Sequence, residues 1–440
     1  MIPDIEEQWR IWQEENPVEN VPDISDDELK EALITDLSKV CNMTVGEYTL
    51  YQKWQEVQFK WPTQTINTIF GEEIQMVNPS EVSHIKSIYD DIWIPESIDD
   101  YMNLKPRLIH TDDTSFDTEI DLEGNERIVE NKRSKDLPKK WNTFRTLTSV
   151  LRNNSLPGRN LRFIIEDEIT NKLLGNICIS SDFLDLTPRD KWIGWDREIK
   201  TQGGMINHTA IGSSIVPTQP LGFNYVGGKL MALLCLSDTV QNTWKEQYGD
   251  TLVGVTTTSI YGKSKKGGLS TYDNLKHWKK MDYTSGSVAY ETTKETQTKI
   301  RQWLHKKHTR KYFEWYGAKK PTGGVYKRDH RNRSYHFTYS KLGIPKEYVK
   351  CDHARGIYFS PLYNNTREFL CKQVRESELQ KSFDTSEEYL TNLWKEKYAK
   401  KRIENLVKND RVSDETLFYD DLIMLSWEEA KEKYLSEIGR

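Results

Sequence analysis

Charge along this chain is sorted by position. Residues 1–130 carry 30 Asp and Glu against 9 Lys and Arg, a net of −21, whereas residues 294–355 carry 17 Lys and Arg against 5 Asp and Glu, a net of +12. Separation on that scale points to a polyanion partner for the basic stretch. The acidic stretch then has two ways to behave: it mimics that polyanion, or it folds back over the basic segment.

A chain of 440 residues exceeds what one hydrophobic core usually supports. Apolar residues make up only 36%, yet 14 Trp and 22 Tyr supply large rings whose burial offsets chain entropy, so a folded chain with polar surface-heavy segments is expected. No apolar run is long enough to span a bilayer, and the opening MIPDIEEQWR lacks the apolar core of a secretory signal. Cys41, Cys178, Cys235, Cys351 and Cys371 are scattered without a CxxC pair, which excludes zinc-ribbon spacings and fits reduced thiols in a cytoplasm.

The expected organisation is an acidic region with a helix and a hairpin over 1–135, a central domain over 158–290, a basic aromatic region over 291–370 and a helical tail over 371–440. Ser25…Glu28, Thr385…Glu388 and Ser426…Glu429 read as capping boxes, the first opening a helix to about Val40. In the tail, Leu390, Trp394, Ile403, Leu406 and Val407 form an apolar stripe. Residues 60–135 read as irregular apart from a hairpin over 118–132 turning at Gly124-Asn125, and 133–160, with Pro138, Pro157 and Gly158, as a linker. Strands are expected at 161–166, 173–180, 208–216 and 252–260, with a turn at Thr170-Asn171, a helix from Lys229 to Tyr248 and a short helix over 271–280.

One stretch joins a strand to a helix through glycines: Ile215-Val216-Pro217-Thr218-Gln219-Pro220-Leu221-Gly222-Phe223-Asn224-Tyr225-Val226-Gly227-Gly228-Lys229. Amides at a helix N-terminus, with the positive end of its dipole, suit a phosphate or pyrophosphate. An ordinary strand-to-helix turn has the same spacing, and spacing alone favours it.

The run Arg189-Asp190-Lys191-Trp192-Ile193-Gly194-Trp195 resembles the RD-x-WIGW signature of the DruA family, associated with the Druantia anti-phage system and with mobile elements. The order of parts over about 160–290 is similar to that family as well. Two positions depart from its pattern: Gly227-Gly228 stand in place of an Ala-Ser pair, and Ser287 in place of an Arg.

The same order also resembles the N-acetyltransferase (GNAT) fold and, more distantly, the phage Mom proteins that modify adenine in DNA. That resemblance implies an α+β fold with a GNAT-like mixed sheet. It implies acetyl-CoA as cofactor, held by Val216, Asn224, Gly227, Gly228 and Lys229. Tyr272 and His277 would then act on the thiol or the attacking amine. Asp190, Asp196 and His208 are further acid–base candidates by residue type and neighbourhood.

Over 299–350, Arg301, Lys306, Lys307, Arg310, Lys311, Lys327, Arg328, Arg331 and Arg333 are interleaved with Trp303, Trp315, Tyr316, Tyr326, Tyr335, Phe337 and Tyr339. Cations neutralise phosphates and rings stack on bases, so DNA is the expected partner. A solvated basic face over an aromatic core is the alternative. In the hairpin, Asp121, Glu130 and Lys132 fit a D…ExK magnesium site if Glu119 faces Glu130, although a solvated face explains them better. Asp329, His330, His336, Cys351, Asp352 and His353 match no known metal spacing, and Gly262-Lys263-Ser264 lacks the first glycine of a P-loop, Thr257 standing there.

The expected function is a nucleic-acid-directed protein of phage or mobile-element type, with acyltransferase-like base modification as its leading activity. A non-enzymatic DNA-binding component and a metal-dependent nuclease are the rivals.

Overall fold

The computed structural model describes residues 4–60, 79–111, 114–120, 126–132, 136–149, 158–261, 270–284, 286, 291–318, 329–350, 354–414 and 426–437. They fall into two compact units, Met1–Tyr48 with Thr284–Arg355, and Thr49–Tyr283 with Gly356–Arg440. The elements used below are, in chain order, α1 (Ile5–Glu15), α2 (Asp26–Cys41), β1 (Pro106–His110), β2 (Thr114–Ile120), β3 (Glu126–Lys132), α3 (Asp136–Thr148), β4 (Asn160–Asp167), β5 (Leu173–Ser181), α4 (Thr187–Ile193), β6 (Thr209–Pro217), α5 (Gly227–Leu234), α6 (Asp238–Tyr248), β7 (Gly254–Ser259), β8 (Lys279–Tyr283), α7 (Lys294–Lys307), β9 (Gly356–Pro361) and α8 (Glu387–Trp394).

The larger unit is α+β. Its seven-stranded sheet has the order β1-β4-β5-β6-β7-β9-β8, antiparallel throughout except for the parallel pair β6–β7. Both faces are covered, so β4 reads as a near-continuous apolar run. Leu161, Phe163 and Ile165 face one core with Leu230, Trp244, Leu390 and Trp394, while Ile164 faces another with Trp141, Phe144 and Leu147 of α3. Each fully buried side chain of this size contributes roughly 1.5–3 kcal/mol.

Several expectations need correction. The supposed linker contains α3, because Pro138 lies in its first turn, where a missing amide hydrogen costs nothing. The stretch read as irregular holds a helix, Pro79–Asp90, and the edge strand β1. The helix expected from Lys229 to Tyr248 is two, because the Ser237 hydroxyl caps α6 by accepting from Val240 N. Residues 271–280 are turns leading into β8, with Asn274 (φ 58°) and His277 (φ 74°) in the left-handed region that interrupts a helix. The sheet is completed by β9, from the stretch assigned to the basic region.

The capping box at Ser426 forms with both of its bonds, whereas Ser25 caps its helix by accepting from Glu28 N without the reciprocal bond. At the third, Ser386 is the cap, and the Thr385 hydroxyl instead donates to Asp238 at 2.6 Å. Val407 is exposed, unlike the rest of its stripe. The hairpin β2–β3 exists, but Glu119 faces Arg127 and Glu130 faces Phe116. That register removes the pairing on which the D…ExK site rested, and Asp121 lies outside the described residues.

In the smaller unit α2 presents Leu29, Leu33, Leu37 and Val40 inward at helical spacing, all essentially inaccessible. The unit's core continues through Ile300, Trp303, Leu304 and Phe313. Acidic side chains meet basic ones here: Lys307 pairs with Asp26 at 2.8 Å, Lys299 with Glu28 at 3.2 Å and Arg310 with Glu6 at 2.7 Å. Hydrogen bonds from Lys307 and Trp303 hold the Asp26 carboxyl below the usual range. The acidic N-terminus therefore folds back over the basic segment. No helix among the described residues is long and apolar enough to cross a membrane. Cys41, Cys178, Cys235 and Cys371 are not joined in disulfides.

Candidate functional site

The parallel ladder between β6 and β7 has three rungs, Thr209–Gly254, Ala210–Val255 and Ile211–Thr256. A register shift at Cys178/Ile179 against β5 marks an irregularity in β6 at Ser213. Beyond the third rung the carboxyl ends of β6 and β7 lead into loops, the usual place for a ligand in an open sheet with crossovers.

From β6 the chain turns through Leu221–Asn224 into α5, with Val226 at φ 48° before its first turn. A Cβ on Gly227 would fall 2.8 Å from Leu221 Cγ and 3.0 Å from Pro217 Cβ; one on Gly228 would fall 3.2 Å from Thr271 Cγ2. Gly227 is thus required by neighbouring protein atoms, while a side chain at 228 needs Thr271 to give way by a few tenths of an ångström. Lys229 Nζ donates to the carbonyls of Thr271 and Asp273, the latter at 3.1 Å, and stands 5.3 Å from the Tyr398 ring centre. Burial draws its pKa down to about 8, against the pull of Asp273.

Asp273, which sequence reasoning missed, is the hub of this corner. Its carboxylate accepts from Tyr358 Oη at 2.7 Å, Ser270 N at 3.0 Å and Lys280 Nζ at 3.2 Å. Burial works to raise its pKa, but the Tyr358, Lys280 and Ser270 hydrogen bonds hold it below the usual range. Burial also opposes charge on Lys280, yet hydrogen bonds to Tyr283 and Asp273 keep its pKa above the ordinary value. The signal that would have found Asp273 is its acidic side chain between Ser270 and two left-handed residues. Its partner Tyr358 arrives from 85 residues away and has no local signature.

Of the expected catalytic residues, Tyr272 is buried in this corner, with ring centres 5.2 Å from Tyr358 and 5.4 Å from Trp278, and burial raises its pKa. His277 stacks on Phe383 at 3.6 Å, and its Nε2 lies 3.3 Å from Tyr389 Oη. Burial, assisted by Lys276 and Lys397, pushes its pKa down to about 4. Val216 pairs with Asn176 of β5. Asn224 is buried and bonded in both directions to the Ser413 backbone, at 2.7 and 3.0 Å.

Asp190 belongs to a separate ionic cluster built on the signature. Arg189, wholly buried, places Nη1 2.7 Å from Asp182 Oδ1, Nε 2.9 Å from Asp190 Oδ1 and its guanidinium 5.3 Å from the Trp195 ring centre. Lys200 joins Asp190 at 2.8 Å and Asp185 at 2.9 Å. Trp195 Nε1 donates to Leu370 O at 2.8 Å, and Trp192 packs on Phe359 of β9. The signature thus fastens the segment after β5 to the sheet. Asp196 accepts from Ile199 N at 2.7 Å. His208 places Nδ1 2.8 Å from Thr251 O and Nε2 3.7 Å from Asp250. These three sit with partners other than Lys229 and Asp273.

In the smaller unit, Lys306 donates to Val18 O at 2.9 Å, and Lys311 pairs with Glu314 at 2.9 Å. Arg301 and Arg333 are exposed. Lys327, Arg328 and the side chain of Arg331 lie outside the described residues. So do Gly262-Lys263-Ser264, Cys351, Asp352 and His353. No cluster of three or more His, Cys, Asp or Glu among the described residues is arranged to hold a metal.

The sequence pattern of the family described as Druantia protein DruA matches residues 103–372. A curated relative, Druantia protein DruA of Escherichia coli (strain UMEA 4076-1), is 28% identical over 159 residues, covering 33% of this chain. The match spans 39% of that protein's length. No solved structure matches the chain.

Proposed function

The chain belongs to the Druantia DruA family, and from that premise we propose that it is a component of Druantia-type anti-phage defence, directed to nucleic acid in the bacterial cytoplasm. One observation carries the nucleic-acid reading: cations and rings share one surface of the smaller unit. There His305 and Tyr312, both half-buried, stack with ring centres 4.7 Å apart, and the half-buried Arg310 lies 5.7 Å from the ring centre of Phe313 beneath them. Phosphate neutralisation by cations and stacking of bases on rings are the two terms that bind single strands. Titrating the full chain into a labelled oligonucleotide tests the proposal. Saturable binding that weakens with salt is expected; no binding in the micromolar range at low salt would remove nucleic acid from the account.

A second reading, acyl transfer to a DNA base, draws support from the sheet. With the separate hairpin set aside, the seven strands run 1-2-3-4-5-7-6 with only the fourth and fifth parallel, an arrangement that resembles the N-acetyltransferase sheet. The coenzyme's expected seat gives it no such support. Gly227 and Gly228 face Leu221, Pro217 and Thr271, and the amides of Asn224, Tyr225 and Lys229 donate to Pro220, Leu221 and Val226. These contacts weigh against a pyrophosphate held at Asn224, Tyr225 and Lys229. The larger unit then acts as a scaffold, as in a non-enzymatic defence component. Calorimetric titration with acetyl-CoA separates the two readings: no heat at millimolar ligand is expected, and a saturable isotherm would restore acyl transfer.

A further inference from the structure

The acidic helix α1 differs from its neighbour α2 in how it is held. Four residues of α2 are buried, whereas α1 buries none. Helix α1 is fastened by a few surface contacts. The Arg310 guanidinium grips Glu6 with two hydrogen bonds, at 2.7 and 3.1 Å, and lies 5.2 Å from the Trp9 ring centre. Trp9 meets Phe313 at 5.0 Å. Trp12 meets His305 at 5.1 Å, Phe313 at 5.5 Å and Tyr312 at 5.9 Å. Gly317 makes room for that indole: a Cβ there would fall 2.7 Å from Trp12 Nε1.

Each contact has a counterpart in nucleic-acid recognition. A carboxylate takes both donors of an arginine fork, as a phosphate does. An indole lies against a His–Tyr–Phe cluster, as a base does. We infer that α1 occupies, in the free chain, a docking surface for single-stranded nucleic acid formed by Arg310, His305 and Tyr312 above the buried Phe313, and that a single strand displaces it. This inference rests on the nucleic-acid reading above. Single strands are specified because stacking on exposed rings needs unpaired bases, which a duplex does not offer.

The occupied form lowers apparent affinity by the fraction of molecules in which α1 is released. The test uses the full chain, its variant Glu6→Gln/Trp9→Ala, and a labelled 20-nucleotide oligo(dT). The variant is expected to bind about tenfold tighter, the factor for a surface open in about one molecule in ten. A second measurement needs no substitution: amide exchange at 5–15 in the unmodified chain is expected to accelerate when oligo(dT) is added. Equal or weaker binding by the variant, with exchange at 5–15 unchanged, overturns the displacement while leaving nucleic-acid binding intact. Absence of binding by both proteins overturns this inference and the nucleic-acid reading together.

Discussion

Replacing Arg189 with Met tests whether the signature is an ionic fastening. Arg189 and Asp182 have fully buried side chains 2.7 Å apart, and Asp182 Oδ2 also accepts from the Thr256 hydroxyl at 2.7 Å. Arg189→Met leaves Asp182 with that hydroxyl and the Phe183 amide, 2.8 Å from Oδ1, as a buried carboxylate stripped of its countercharge, and leaves Phe183 O without the donor it has at 2.8 Å. Removing one partner of a buried pair costs about 3–5 kcal/mol. Arg189→Met with Asp182→Leu removes both charges, and apolar replacement of a whole buried pair is often neutral, so the double variant should return to within about 1–2 kcal/mol of the wild type. The two sites should therefore be coupled by about 2 kcal/mol or more. Urea unfolding of the three variants and the wild type, followed by tryptophan fluorescence at pH 7, reads all four corners of the cycle. A loss below about 1 kcal/mol for Arg189→Met, or strictly additive losses, would refute the reasoning and return the signature to candidacy as a ligand site.

Three further outcomes follow from the same geometry. Gly228→Val forces side-chain atoms against Thr271, already 3.2 Å from a Cβ there, and should destabilise the larger unit by about 1–3 kcal/mol in urea unfolding; unchanged stability would show open space in front of the loop. Gly227→Ala should also destabilise it, despite alanine's better helix propensity, because the new methyl meets Leu221 at 2.8 Å; a gain in thermal midpoint would contradict this. His277 has a folded pKa lowered to about 4 from 6.5, so the unfolded chain binds the extra proton first. Stability should fall as pH drops from about 6.5 towards 4. His277→Asn, which tolerates the left-handed backbone, should flatten that part of the pH–stability profile, and an unaltered slope would place the titration elsewhere.

The parts of this fold that the sequence made legible are those whose cause is local. β4 to β7 announce themselves through runs of branched and apolar residues, the turn at Asn171 through its left-handed backbone, and α2 through the Ser25 cap and its inward leucines. What stayed hidden depends on distant partners. β9 is an ordinary apolar stretch until it pairs with β7 and β8, and it brings Tyr358 to Asp273. The signature was readable, but its partner Asp182 stands in a loop seven positions away, so its ionic role was not. In the same way, Gly227 and Gly228 were legible as necessary glycines; whether a ligand or the protein's own Leu221 and Thr271 required them depended on packing. Charge sorting foretold that acid and base would matter to each other, while the particular pairs, Glu6 with Arg310 and Asp26 with Lys307, needed the folded unit.

We propose that the cationic, aromatic surface of the smaller unit directs the chain to nucleic acid. The salt dependence of oligo(dT) binding by the full chain tests it most directly. Log affinity is expected to fall linearly with log salt, with a slope of about −0.7 for each phosphate neutralised, and Arg301→Glu with Arg333→Glu is expected to make the slope shallower. An affinity that does not change with salt, or a slope unaltered in that double variant, would contradict it.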